Sequence, residues 1–133
     1  MATVADVESI IGSLPDVVET EKWGNRTWTV GGRSFAWERR FSKADIRRFG
    51  DAGPPPGPIV AVKVEDLHEK EAVLTAGTKG VFTIPHFDGF AAVLVQLRAI
   101  GKRALRELLV DGWLACAPEG LARDYLARPK GRR

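Results

Sequence analysis

Hydrophobic and polar residues alternate most regularly in residues 23–37, on both sides of a pair of glycines. Adjacent glycines readily adopt the positive backbone dihedrals of a two-residue hairpin turn, and Trp, Thr and Phe favour half-buried strands. The segment therefore predicts a β-hairpin around Gly31 and Gly32. Its period of two places the large apolar residues on a single face: Trp28, Val30, Phe35 and Trp37.

The remaining apolar residues recur either at the spacing of a helix or at that of a strand. Ser or Thr followed three residues later by Asp predicts capped helix starts at Thr3 and Ser42, and Asp66 with Glu69 predicts another. The predicted helices cover residues 4–14, 42–50, 66–77 and about 102–116, with a last one opening at Pro118. The predicted strands outside the hairpin cover residues 17–22, 59–64, 81–84 and 91–97.

These elements predict an α+β fold with a single antiparallel sheet, helices packed on one of its faces, and two β-hairpins. Residues 17–37 would form a three-stranded meander, and residues 81–97 a second hairpin joined by the turn Pro-His-Phe-Asp-Gly-Phe. Three successive prolines fix an extended backbone, so we expect residues 51–58 to be a surface loop. The short basic helix before that loop would pack on the core through Phe41, Ile46 and Phe49.

Length and composition fit one folded domain. The 133 residues are 44% hydrophobic and 28% charged, which is typical of a chain with a single core. We expect the domain to span residues 1–127 and residues 128–133 to form a basic tail.

Two further features indicate where the protein is found. The longest apolar run, residues 90–95, is much shorter than the roughly 20 residues of a membrane span, so no membrane association is expected. Asp6 and Glu8 stand where a secretory signal would carry basic residues, and the single Cys116 fits a reducing compartment. We therefore expect a cytoplasmic protein.

Charge is distributed unevenly along the chain, although the formal net charge is only +3. Residues 22–50 contain eight Lys and Arg residues against two acidic ones, a local net charge of +6, whereas residues 1–21 contain five acids and no base. Such a polarised surface can meet a polyanion, and the same charges can also be merely solvated. The basic residues that we expect on a nucleic-acid surface are Arg26, Arg33, Arg39, Arg40, Lys43, Arg47 and Arg48.

No catalytic or metal-binding pattern stands out in the sequence. The imidazoles are His68, in an acidic helix, and His86, in a turn, and no nucleophile and orienting partner can be assembled around either. Cys116 lies on the apolar stripe of a helix, where a free cysteine is commonly a core residue. Metal-ligand spacings and glycine-rich phosphate loops are absent from the sequence. We therefore expect no enzymatic activity, no catalytic residue, no bound metal and no cofactor.

Three residues are candidates for lining a ligand pocket. Trp23 lies at a strand end close to Arg26, where an exposed ring could stack on a base; it could also be a core residue. His86 and Phe87 lie in the Pro-His-Phe turn, and loops commonly position functional groups. His86 could equally be a turn residue hydrogen-bonded to the backbone.

Four segments together resemble the MmcQ/YjbR family of small bacterial proteins: WGNRTWTVGGRSFAW, IVAVKV, VFTIPHFDGFAAVLVQL and ELLVDGWLACAPEGLARDYL. The most specific markers are the Trp-Gly before the hairpin, the Gly-Gly-Arg-x-Phe-Ala turn and strand, the Pro-His-Phe loop, and the Trp-x-x-x-Ala-Pro near the end. This resemblance implies an α+β fold similar to the frataxin-like and secretion-chaperone-like arrangements, often described as a double-wing DNA-binding motif.

Two hypotheses for function follow, and they differ in the surface that binds. In the first, the protein is a non-enzymatic DNA-binding protein whose hairpins act as wings on a duplex. The seven basic residues would contact phosphates, so binding would have little sequence specificity. In the second, the sheet and the Pro-His-Phe loop form a pocket or docking face for a small ligand or a protein partner, lined by Trp23, His86 and Phe87. Convergence of the basic side chains on one face would favour the first hypothesis.

Overall fold

The computed structural model describes residues 1–128, so residues 129–133 of the expected basic tail lie outside the described residues. The helices are α1 (Val4–Gly12), α2 (Lys43–Phe49), α3 (Leu67–Thr75), α4 (Lys102–Cys116) and α5 (Glu119–Leu126). The strands are β1 (Val17–Lys22), β2 (Asn25–Val30), β3 (Arg33–Glu38), β4 (Ile59–Lys63), β5 (Val81–Phe82) and β6 (Ala92–Gln96). Short 3-10 turns cover Gly50–Ala52 and Pro85–Phe87.

All six strands of the described chain form one antiparallel sheet in the order β1-β2-β3-β4-β6-β5. The predicted meander of β1 to β3 and the predicted second hairpin of β5 and β6 are both confirmed. The α+β class with a single antiparallel sheet is therefore confirmed, and β4 joins the two hairpins because it pairs with β3 on one side and β6 on the other.

Both turns of the meander use two residues with positive φ. Gly31 (φ +59°) and Gly32 (φ +79°) join β2 to β3, as the glycine pair predicts. The turn between β1 and β2 consists of Trp23 (φ +54°) and Gly24 (φ +77°). A left-handed backbone costs a residue with a side chain about 1–2 kcal/mol, and the side chain of Trp23 buries almost nothing in return because the residue is 98% exposed.

A β-bulge in β3 separates Phe35 from Trp37. Trp28 pairs with Ala36 and the next residue of β2 pairs with Ser34, so Phe35 is the extra residue. Phe35 therefore packs in the main core with Trp28, whereas Trp37 lies on the other face of the sheet. The prediction of one shared face for the large apolar residues of the hairpin is wrong for Trp37.

The two faces of the sheet bury different clusters. On one face, Val60 and Val62 of β4 pack with α1 and with α4, which contributes the fully buried Trp113. The indole nitrogen of Trp113 donates to the carbonyl oxygen of Pro15 at 3.1 Å. On the other face, alternate residues of β4 pack in a smaller cluster around Phe87. The strand is therefore buried on both sides, as its continuous run of apolar residues indicates.

The short helix α2 packs on this smaller cluster through Phe41 and Phe49, as predicted. Ile46 was expected beside them, but it is 45% exposed. The predicted helix starts are confirmed at α1 and α2, where Ser or Thr and Asp exchange hydrogen bonds in reciprocal capping boxes. Within residues 1–128, no helix has the length and apolar character needed to cross a membrane.

Candidate functional site

A cleft of about 580 Å³ opens between the β1–β3 end of the sheet and the turn that carries Pro85–Phe87. We call it the aromatic cleft. It brings together the three residues predicted to line a pocket, which are Trp23, His86 and Phe87. The other residues that line it are Lys22, Asn25, Thr27, Ser34, Trp37, Arg39 and Phe90.

The alternation of the strands determines which side chains face this cleft. Lys22 pairs with Asn25, and Thr27 pairs with Trp37, so these four residues lie on the same face of the meander. Lys22 Nζ donates to Ser34 Oγ at 2.9 Å across that face. The neighbouring strand residues point to the opposite face, where α1 and α4 pack.

Aromatic rings form one wall of the cleft. The ring of Trp37 lies 6.5 Å from that of Phe87 and 6.1 Å from that of Phe90, and the two Phe rings are 5.6 Å apart. Phe87 is buried, but Phe90 is 42% exposed and Trp23 stands at the rim almost fully exposed. The cleft therefore offers a rigid aromatic wall and one free ring to a ligand.

The turn that bears two of these rings is held from behind by α3. Lys70 Nζ donates to the carbonyl oxygens of Phe87, at 2.6 Å, and Phe90, at 2.8 Å. Lys70 is buried, and this burial lowers the pKa of its ammonium group against the opposing effect of Asp88. Lys63 supports the same turn, with its ammonium group 4.9 Å from the centre of the Phe90 ring.

Arg39 is fixed at the edge of the cleft. Its Nη2 lies 3.0 Å from Asp45 Oδ2, its guanidinium carbon lies 5.6 Å from the Phe87 ring centre, and its Nη1 donates to the carbonyl oxygen of Arg40. Burial acts to raise the pKa of Asp45, but hydrogen bonds from Ser42 and the charge of Arg39 outweigh it, so the pKa lies below its ordinary value. Asp45 is thus held as a carboxylate that orients Arg39.

Arg26, one of the residues predicted to bind nucleic acid, lies on the opposite face from the cleft and is surrounded by acids. Its guanidinium nitrogens lie 2.6 Å from Glu8, 2.9 Å from Glu19 and 3.9 Å from Glu38. Hydrogen bonds to Glu19 and Glu8 raise its pKa above the ordinary value. The same guanidinium group stacks over Trp28, with its carbon 4.9 Å from the ring centre. Its charge is therefore already compensated within the molecule.

The other predicted nucleic-acid contacts do not form one surface with Arg26. Arg33 lies beside the end of α4, where its Nη1 donates to the carbonyl oxygen of Ala115 at 3.2 Å. The remaining basic residues of that prediction, apart from Arg39, are exposed on or next to α2. We call them the α2 basic segment: Arg40, Lys43, Arg47 and Arg48.

Sequence reasoning missed several residues of the cleft. The alternating pattern predicts Trp37 on the core face because it gives no sign of a bulge, and the basic neighbours of Arg39 indicate phosphate contact. Lys70 lies in an acidic helix and has the pattern of a surface residue. For Phe90, the turn itself was a usable signal, since it follows Phe87 closely in the same loop.

Side chains that could ligate a metal do not cluster in the described part of the chain. Among residues 1–128, no group of three or more His, Cys, Asp or Glu side chains is placed to hold a metal ion. Cys116 is buried, and burial raises the pKa of its thiol, which is the behaviour of a core residue.

Sequence comparison places the chain among proteins of one family. A family model described as YjbR matches residues 12–115. The chain is 43% identical over 129 residues to the uncharacterised protein Rv2570 of Mycobacterium tuberculosis and to the uncharacterised protein Mb2600 of Mycobacterium bovis. Each alignment covers 96% of this chain and 98% of the relative.

A solved structure has a similar fold. The crystal structure of Deinococcus radiodurans protein DR2400, which carries a DUF419 domain, superposes on this chain with a TM-score of 0.62. The match covers 100% of this chain and 94% of the other, at 22% sequence identity. At that identity the likeness concerns the fold.

Proposed function

This chain belongs to the YjbR family, and we propose that it is a binding protein, not an enzyme, whose aromatic cleft holds a small ligand with a flat ring. The observation that carries the proposal is the convergence of Trp23, Trp37, Phe87 and Phe90 on one cleft. Aromatic rings stack on flat ligands with a gain of about 1–3 kcal/mol per ring.

The size of the cleft supports this proposal. Its volume of about 580 Å³ lies within the range of about 300–1,000 Å³ typical of small-molecule sites. The wall is also largely formed in advance, because Lys70 fixes the carbonyl groups of Phe87 and Phe90 from behind. A preformed site loses little conformational entropy when a ligand binds.

The backbone of Trp23 supports a role for this residue in binding. A tryptophan in the left-handed region and 98% exposed contributes little to folding, and strained residues of this kind cluster at functional sites. A ligand stacked on the ring would give the exposed indole the apolar contact that the folded chain does not provide.

Binding of N-phenyl-1-naphthylamine, an uncharged flat dye that fluoresces in apolar surroundings, tests the proposal. We expect the folded protein to bind it, and Trp23→Ala and Phe90→Ala to weaken binding about tenfold each. Leu126→Ala is the matched control, since it truncates an exposed apolar side chain on α5. Absence of binding, or equal affinities in all four proteins, would contradict the proposal.

A second candidate function is binding of duplex DNA with little sequence specificity. The observation that favours it is the α2 basic segment, whose members are all exposed. Among the described residues, Arg40, Lys43 and Arg47 form no ion pair, and Arg48 lies 3.6 Å from the shared carboxylate of Asp45. Phosphate contacts would come from this segment, because the charge of Arg26 is compensated within the molecule and Arg33 lies apart, beside the end of α4.

Fluorescence anisotropy with a generic duplex at about 50 and 200 mM salt tests this second candidate, because counterion release makes phosphate binding salt-dependent. We expect binding at low salt that falls steeply at high salt and is lost in Lys43→Glu with Arg47→Glu. The matched control is Lys79→Glu with Arg103→Glu, two exposed bases outside the segment. DNA binding by this segment is excluded if both pairs of substitutions behave alike or no binding occurs at low salt.

A further inference from the structure

We propose that the ligand of the aromatic cleft carries an anionic oxygen group beside its flat ring, and that Arg39 and Lys22 bind this group. The inference rests on the proposed small-ligand function and adds the chemical class of the ligand. A carboxylate and a phosphate share this chemistry, so an aromatic carboxylate and a nucleoside monophosphate are the two sources of such a ligand.

The charge of the cleft lining is the first observation behind this inference. Of the described residues that line the cleft, Lys22, Arg39 and His86 are basic, and none is acidic. The sequence just before Lys22 contains Glu19 and Glu21, so the lack of acidic side chains in the lining is not a consequence of composition. Glu19 and Glu21 of β1 alternate with the cleft-facing residues, so their side chains point to the opposite face of the sheet. There, Glu19 binds Arg26 of β2.

Arg39 is prepared for an anion by its surroundings. Of its five N–H donors, one is used by Asp45 and one by the carbonyl oxygen of Arg40, which leaves three for a ligand. Asp45 does not cancel the local charge, because its carboxylate is shared between Arg39 and Arg48. One positive charge therefore remains in excess. The side chain of Arg39 is only 14% exposed, so a hydrogen bond to it is weakly screened by water.

Lys22 supplies a second donor. Its Nζ is hydrogen-bonded to the neutral hydroxyl of Ser34 at 2.9 Å, which orients the ammonium group without compensating its charge. Two of its three N–H donors are left for the same anion. Lys22 and Trp23 both line the cleft, so the anionic substituent of a ring stacked on the indole can meet this ammonium group.

Two dyes of the same skeleton separate this inference from the proposed function. 8-Anilino-1-naphthalenesulfonate is N-phenyl-1-naphthylamine with an added sulfonate, so the ratio of their affinities measures what the anionic group contributes. We expect the sulfonate to bind about tenfold more tightly or better, as charge-assisted hydrogen bonds predict. Near-UV circular dichroism of each protein confirms that the dye meets a folded chain.

Variants identify the groups that produce the preference. Lys22→Gln and Arg39→Gln should each reduce the ratio several-fold while leaving the uncharged dye bound. Arg39→Gln leaves Asp45 without a buried partner and can impair folding, so Lys22→Gln, at an exposed position, carries the test independently. Arg103→Gln, an exposed base on α4 outside the cleft, is the matched control and should leave the ratio unchanged.

The outcomes distinguish the two claims. If neither dye binds, the proposed function fails and this inference fails with it. If both dyes bind equally, or the preference survives in Lys22→Gln and in a folded Arg39→Gln, only the inference fails. Competition with 2-naphthoate and with adenosine monophosphate then assigns the source, because displacement by one of them identifies a carboxylate or a phosphate ligand. Displacement by neither overturns the inference.

Discussion

Lys70 Nζ lies 2.6 Å from the carbonyl oxygen of Phe87, although the two residues are 17 positions apart in the chain. The ammonium group is buried, and it also binds the carbonyl oxygen of Phe90 at 2.8 Å. A buried lysine normally pairs with a carboxylate, but here backbone oxygens of one turn serve as its acceptors. Lys70 therefore fixes the conformation of the turn that forms the aromatic wall of the cleft.

Replacement of Lys70 by methionine should loosen this turn. Lys70→Met removes two charge-assisted hydrogen bonds and leaves each carbonyl oxygen with one backbone donor, Phe90 N–H for Phe87 and Ala92 N–H for Phe90. We expect a loss of about 2 kcal/mol in the free energy of unfolding. Amide hydrogen exchange in residues 85–90 should accelerate more than in β4. Urea unfolding and mass-spectrometric exchange measure both effects.

The control for Lys70→Met is Lys79→Met, at an exposed position, which should change stability by less than about 0.5 kcal/mol. Equal exchange in the turn of the wild-type protein and of Lys70→Met would mean that the turn holds its shape without the ammonium group. The wall of the cleft would then depend on ring packing and on the backbone hydrogen bonds within the turn.

The first hairpin and the start of α1 could be predicted from the sequence because their signals are local. The period of two on either side of Gly31 and Gly32 involves neighbours in the chain, and so do the reciprocal hydrogen bonds between Thr3 and Asp6. The sequence also predicts that Trp23 and the Pro-His-Phe turn line one pocket, since functional side chains commonly lie on loops, and both line the cleft.

What could not be predicted depends on long-range pairing. The bulge at Phe35 is visible only in the pairing of β3 with β2, and it reverses the direction of Trp37. The groups that bind the charged ends of Arg26 and Lys70 likewise come from distant parts of the chain, so the sequence gives no local sign of them. A basic segment in the sequence therefore did not become a single basic surface.

Trp23→Asn should stabilise the protein and weaken ligand binding at once. Asparagine tolerates the left-handed backbone better than tryptophan does, so the free energy of unfolding should rise by about 0.5–1 kcal/mol. The affinity for the uncharged dye should fall because the free ring at the rim is lost. Thermal unfolding and dye titration of the same sample measure the two effects. If stability falls as well, the indole must make contacts in the folded chain that its 98% exposure does not reveal.

Asp45 should make stability depend on pH. The pKa of its carboxyl lies below the ordinary value in the folded chain, because hydrogen bonds from Ser42 and the charge of Arg39 outweigh the effect of burial. A depressed pKa contributes stability that is fully present above the unfolded value of about 3.9 and is lost as pH falls through the folded value. Asp45→Asn removes this contribution.

The expected result for Asp45→Asn is a loss of about 2 kcal/mol at neutral pH that shrinks as pH falls below about 4. Urea unfolding from neutral to acidic pH measures this difference. Asp51→Asn, at an exposed position, serves as the control and should follow the wild-type curve. A difference between wild type and Asp45→Asn that stays constant across the whole pH range would show that the carboxylate charge is not what stabilises α2.

Gly112→Ala should test how closely α4 approaches the sheet. A Cβ at this position would lie 2.9 Å from the carbonyl oxygen of Lys63 and 2.9 Å from Val62 Cγ1, so α4 would have to move away from β4. We expect a loss of about 2 kcal/mol in the free energy of unfolding, as for other overpacked cores. Gly120→Ala is the matched control, since its Cβ would meet no atom within 4 Å, and alanine should stabilise α5 by up to about 1 kcal/mol. Urea unfolding measures the change in the free energy of unfolding for both variants, and changes of opposite sign would establish that packing requires the glycine of α4. A Gly112→Ala protein more stable than the wild type would mean that α4 lies farther from the sheet.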